Sequence, residues 1–233
     1  MRRRRCLQLC IQKTDIVLAA LISVVALLWA DNGYSAVRCI LGGIIYSEDG
    51  QIDSVALGKW LFIYGVCFLM TGRKIAEKMQ IYRYTVYRSG SFACWWRKLF
   101  AEIQLYMLVI LFLYSFLWLV VDVIQGAWYR DGIIMVTFYL HCSLYITAIL
   151  VGNLFMEKNE VPCLLLLLEG MLYCISVKWK LPMLNSGMYV ELITAGWIKY
   201  YLALIFQLAG LAGLYLLVPK LQKRGCLEGR KIC

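Results

Sequence analysis

Long apolar runs, separated by short segments that hold most of the charge, constrain this chain more than any other feature. An α-helix of about 20 apolar residues matches the ~30 Å hydrocarbon layer of a bilayer. Charged residues make up 16% of the chain and hydrophobic ones 62%, whereas soluble domains carry about 25% charge. A transmembrane barrel would show alternation over roughly ten residues per strand; here the runs are continuous. The expectation is an all-α, polytopic integral membrane protein, with residues 1–233 as one transmembrane domain and six membrane-spanning helices.

Arg2–Arg5 and Lys13 precede the first run, Ile16–Ala30, which is 15 residues long. A basic stretch before an apolar one also introduces a signal peptide. The cleavage site is poor, so the run is read as a short span over about residues 15–31, with tilt or bilayer thinning absorbing the mismatch. Asp31–Ala56 reads as a mixed polar loop. The second span covers 55–72 and the third 101–122, bounded by Glu102 and Asp122. The fourth, 132–156, holds His141, the single histidine. Pro162 suits the first turn of the fifth span, 161–177, which has Glu169 at its middle. The sixth, 192–218, is ended by Pro219.

Orientation follows from charge. With both termini on one side, that side and the connection between spans two and three carry 18 Lys and Arg against six opposite. Cytoplasmic segments are the basic ones, so both termini and that connection are expected in the cytoplasm. The net charge of +10 is then matched by anionic lipid of the inner leaflet and not by nucleic acid. The ten cysteines fall mostly in apolar runs or on the cytoplasmic side, where thiols stay reduced; no CxxC or Cys/His metal spacing occurs.

The connection itself, residues 73–98, holds seven of the 24 basic residues. Ile75, Met79, Tyr82 and Val86 recur at helical spacing, with Lys74, Lys78, Arg83 and Arg88 largely off that stripe. This predicts a basic amphipathic helix along the membrane face, broken at Ser89-Gly90-Ser91. Trp95-Trp96-Arg97-Lys98 then has the aromatic–cationic mix that settles among headgroups.

Catalytic motifs are absent: there is no GxxxxGK[ST], HExxH or GxSxG. Glu169 stands out because a carboxylate in mid-span is costly and by default faces a polar interior or pathway; a hydrogen-bonded packing role is the equal alternative. Counted from the turn after span four, His141 lies about 15 residues up and Glu169 about 11, roughly 6 Å apart in height. Direct contact is therefore not expected, although both are candidates for a pathway. Tyr106, Tyr114, Tyr139 and Tyr145 are candidate cavity-lining residues, and Gly210 and Gly213 permit close helix packing.

A six-span layout with Ile81-Tyr82-Arg83-Tyr84, Arg88-Ser89-Gly90-Ser91 and Trp95-Trp96-Arg97-Lys98 between spans two and three resembles permease subunits of ABC transporters of the ABC-type-2 class. The likeness is greatest to small Gram-positive permeases for peptide export or self-immunity. It implies that Tyr82, Arg83, Tyr84, Arg88, Ser89 and Gly90 dock onto a separate ATPase subunit, present in two copies, and that Trp95, Trp96, Arg97 and Lys98 form an elbow at the membrane surface. It further implies a second permease subunit, identical or homologous, with ATP and magnesium on the ATPase and no cofactor on this chain. Lys178–Glu191 is too short for the re-entrant helix pair that many members carry before the last span.

The expected function is thus a non-enzymatic permease subunit in a bacterial plasma membrane, exporting a peptide or lipophilic compound. The alternative is a non-transport membrane anchor or assembly partner whose basic segment holds lipid; an intramembrane hydrolase would need His141 and Glu169 to meet beside a nucleophile.

Overall fold

A computed structural model describes residues 11–28, 35–44, 51–81, 85–86, 89, 91–126, 131–156, 160–179 and 196–223. The elements are α1 (Lys13–Leu27), α2 (Ala36–Leu41), α3 (Ser54–Gln80), α4 (Phe92–Gln125), α5 (Asp131–Gly152), α6 (Glu160–Lys178) and α7 (Trp197–Lys223). No strand occurs among the described residues. Five helices, α3 to α7, are long and apolar enough to cross a membrane, and the chain is a multi-pass membrane protein. The 15 residues of α1 reach ~22 Å, so the expected first span does not meet that length.

Local sequence sets the ends. Asp53 begins α3 by accepting from the N–H groups of Val55 (3.0 Å) and Ala56 (2.9 Å), and Ser91 begins α4 by accepting from Cys94 N–H (3.2 Å). Such oxygens satisfy donors that the first helical turn leaves open. Gly126 ends α4 in the left-handed region, φ 70°, where a side chain would be strained.

α3 packs against α1, α4, α5 and α6, while α1 lies along α4 and α7 along α5. The largest buried side chains are Trp96, Trp118, Tyr64, Tyr114 and Tyr173. Polar atoms stitch α1 to α4 twice: Ser23 Oγ donates to the Tyr114 carbonyl (2.7 Å), and Trp118 Nε1 donates to the Ser23 carbonyl (2.9 Å). Between apolar helices in lipid, where hydrophobic driving force is weak, each such bond is worth about 0.6 kcal/mol.

Several expectations need correction. Residues 73–98 are not one helix lying on a membrane face. Arg73–Gln80 prolong α3, residues 85, 86 and 89 are helical, and Phe92–Lys98 already belong to α4. Ile75 is buried, with Met79 and Val86 partly buried against the core, so much of the apolar stripe faces protein. The fourth span ends at Gly152, and residues 153–156 form a turn.

The loop after α1 contains a short helix, α2, that buries Ala36, Val37, Ile40 and Leu41. Asp122, read as the polar limit of a span, is fully buried and accepts from Ser35 Oγ (2.8 Å) and from the N–H groups of Ala36 and Val37 (2.9 Å for the latter). It thereby docks α2 onto the end of α4. A sequence shows the charge, but only the fold brings three donors to it.

Pro219 does not end the last helix, which continues to Lys223. Proline removes the hydrogen bond to the carbonyl four residues earlier, here that of Tyr215. Trp96 Nε1 donates to that carbonyl at 3.0 Å, so a neighbouring helix supplies the missing donor.

Candidate functional site

Two regions concentrate polar chemistry: a cluster at the middle of α5 and α6, and the basic ends of α3 and α4. In the first, α5 places His141 and Tyr145 one turn apart on one face. Glu169 of α6 is fully buried, and its Oε1 lies 2.9 Å from His141 Nε2. The Tyr145 hydroxyl donates to the other carboxylate oxygen. Direct contact corrects the height estimate. Since the helix stops at Gly152, His141 stands 11 residues before that end and Glu169 nine after Glu160, a difference of ~3 Å.

Aromatic residues of α3 enclose the pair. The Tyr64 ring is 5.2 Å from His141 and that of Trp60 6.3 Å, centroid to centroid, and these two rings stack at 3.9 Å. Phe68 stacks on Tyr145 at 5.6 Å. Trp60 Nε1 and the Tyr64 hydroxyl are buried without a hydrogen-bond partner among the described residues. Behind them Cys67 and Cys142 are both fully buried and in mutual contact. Toward the basic end, Ser143 Oγ donates to Gln104 Oε1 (2.7 Å), and Gln104 Nε2 donates to Thr147 Oγ1 (3.0 Å).

The approach of α6 depends on small residues. A Cβ on Gly152 would come within 2.6 Å of Val161, and one on Gly72 within 3.0 Å of Pro162. At the far end, the Tyr173 hydroxyl accepts from Asp53 N–H (3.2 Å). The leucines Leu164, Leu167 and Leu168 face outward. α6 is thus held at its start by close packing, at its middle by Glu169 and near its end by Tyr173.

At the basic ends, four of the seven basic residues in the connection are ion-paired within the protein. Arg73 meets the buried carboxylate of Asp15, Lys74 meets Glu77 (3.2 Å), and Glu102 joins Lys78 (2.8 Å) and Lys98 (4.0 Å). Lys74 also lies 5.9 Å from the centre of the Tyr106 ring. The reading of these charges as lipid-facing is corrected to that extent: packing of α1 and α4 on α3 brings Asp15 to Arg73 and Glu102 to Lys78, while Lys74–Glu77 and Lys98–Glu102 are neighbours on one helix.

Of the expected docking residues, Tyr82, Arg83, Tyr84, Arg88 and Gly90 lie outside the described residues. Ser89 is helical and donates to the Thr85 carbonyl (2.7 Å). The four expected elbow residues divide in two. Trp95 and Trp96 are buried in the protein, Trp95 donating to Thr85 Oγ1 (3.0 Å), while Arg97 and Lys98 are exposed. Tyr114 and Tyr139 line an apolar groove of about 450 Å³ between α4, α5 and the end of α2; Tyr145 belongs to the buried cluster instead.

The cluster can bind and share protons: a carboxylate, an imidazole and a phenol in contact provide both acceptors and donors. No group of three or more metal-ligating side chains occurs among the described residues. Sequence reasoning singled out Glu169 and His141 but missed Tyr145 as their third member; its spacing of four from His141 was the available signal. No protein-family model, curated protein or solved structure matches the chain significantly.

Proposed function

We propose that this chain is the membrane-spanning permease subunit of an ATP-driven transporter of the ABC-type-2 class. It works with a separate ATPase, present in two copies, and with a second permease subunit, identical or homologous. On this reading α1 serves as a sixth span in locally thinned bilayer, and both termini lie in the cytoplasm of a bacterial cell, as the 18-to-six charge distribution favours. ATP and magnesium belong to the ATPase, and the cargo is a peptide or lipophilic compound.

One observation carries the reading. The 27 residues of α3 and 34 of α4 measure ~40 and ~51 Å, beyond the ~30 Å hydrocarbon layer. Their overhanging ends are braced by Lys78–Glu102 and flank Tyr82–Arg88. A push on that connection would pass along two continuous helices into the bundle. A charge-only lipid anchor is less well supported, because Arg73, Lys74, Lys78 and Lys98 already have protein partners.

The experiment is co-purification of the partner ATPase, with its turnover, for Arg83→Lys, Arg88→Lys, Tyr82→Ala and Tyr84→Ala. Lys keeps the charge but loses the planar five-donor fork of Arg, and Ala removes contact area that anchors interfaces. Docking predicts loss of ATPase binding or stimulation with insertion intact. Unchanged binding and turnover in all four variants rejects it.

A further inference from the structure

We infer that the apolar groove between α4, α5 and the end of α2 is a lipid site, holding one acyl chain of a membrane phospholipid as a resident part of the bundle. The inference rests on the chain being a membrane protein and does not depend on an ATPase partner.

Floor and rim of the groove differ. Tyr114, Ser115, Trp118 and Phe138 are buried and form the floor, whereas Leu108, Phe112 and Val136 at the rim are exposed. All of them belong to helices of spanning length, so the medium at the mouth is the bilayer. Leu108 to Trp118 make up ~15 Å of helix. The volume of about 450 Å³ lies within the ~300–1,000 Å³ range of ligand pockets.

Chemistry selects the occupant. Three of the four polar side chains in the wall are committed elsewhere. Tyr114 Oη donates to Met70 Sδ (3.3 Å), Ser115 Oγ to the Leu111 carbonyl (2.8 Å) and Trp118 Nε1 to the Ser23 carbonyl (2.9 Å). The fourth is Tyr139. A peptide in the groove would bring amide and carbonyl groups to walls that offer them almost no partner, which is strongly disfavoured. A methylene chain has no such groups and gains dispersion contact with each wall atom it reaches, contact that an empty groove forfeits.

The end of the site is built by α2, which touches both α4 and α5 and sets Leu41 in the wall. Asp122 fixes α2 through three hydrogen bonds at its start, so the groove is closed there by a docked element. The same helix accounts for the headgroup. It lies at the end of the bundle away from the basic connection, and Arg38, one turn before Leu41, is exposed. A chain seated in the groove leaves its phosphate at that level, where the charge of a guanidinium complements it.

The full chain is tested by photolabelling in vesicles of phosphatidylethanolamine and phosphatidylglycerol that include a phosphatidylglycerol with a diazirine in mid-chain. Adducts are mapped by mass spectrometry of peptides. Leu164, Leu167 and Leu168 of α6, exposed outside the groove, report ordinary contact with the bilayer. Residues 108–118 and 135–139 should be labelled several-fold more than those leucines. Groove labelling no stronger than that of α6 in the native sequence means ordinary bilayer contact and overturns the proposal, with no variant required. Val136→Trp and, on the opposite wall, Leu108→Trp fill the groove from exposed rim positions. Loss of the excess in either variant, with α6 labelling kept, supports the site. An excess that persists in both places the acyl chain outside the groove and overturns it.

Discussion

The indole of Trp96 donates to the carbonyl of Tyr215, the acceptor that Pro219 leaves open four residues later in the same helix. A proline that would otherwise break α7 is thereby built into a continuous helix, and α4 is fastened to α7 at the same point. Tyr215 also lies beside Trp96 and Phe100, with ring centroids 6.4 and 4.8 Å away, so the bond sits within an aromatic contact.

Trp96→Phe preserves most of that packing and removes the donor. A typical intramolecular hydrogen bond contributes about 0.5–1.5 kcal/mol, and thermal unfolding in detergent should show a loss of that order. In a Pro219→Ala background the new N–H can reach Tyr215, so the same substitution should cost less. Equal losses in both backgrounds would show that the indole matters only for packing.

Asp122 should be among the residues whose removal is felt most at the far end of the bundle. Asp122→Ala deletes an acceptor for three donors of the α2 start. Bonds to a charged acceptor contribute about 1.5–3 kcal/mol each, not additively. Hydrogen exchange should show residues 36–41 losing protection while α4 keeps its own. Retained protection in α2 would mean that its apolar face alone holds it.

For the buried pair, the single variants should be worse than the double. Glu169→Leu leaves two donors facing a leucine, and His141→Leu leaves the carboxylate without its imidazole. Breaking a buried pair from one side costs about 3–5 kcal/mol, whereas replacing both partners by apolar residues is often near neutral. Unfolding of the two single variants and the double variant measures this. Additive losses would show that the contact at 2.9 Å contributes little to stability.

The charge distribution makes a topological prediction. A single cysteine at Ser89, in a chain otherwise free of cysteine, should stay unmodified by an impermeant thiol reagent in intact cells and react after lysis. Reaction in intact cells would place the connection outside and reverse the orientation.

The sequence by itself determined the class of fold, because hydrocarbon leaves the backbone few ways to satisfy its polar groups. Apolar runs of spanning length therefore had to be helices, and five of the six are seen as such. It also marked Glu169 and His141, since ionisable groups are costly in such runs wherever they point.

What the tertiary structure alone decided is which polar groups meet. Asp15 lies 58 residues from Arg73, Ser35 lies 87 from Asp122, and Trp96 lies 119 from Tyr215. No spacing rule connects such positions. Helix ends mattered as much: four residues at 153–156 leave α5 for a turn, lowering His141 relative to Glu169 by about two helical rises and turning an expected separation into a contact. Periodicity fixes the face a residue occupies on its own helix, while the partner on the next helix depends on where both helices start, stop and cross.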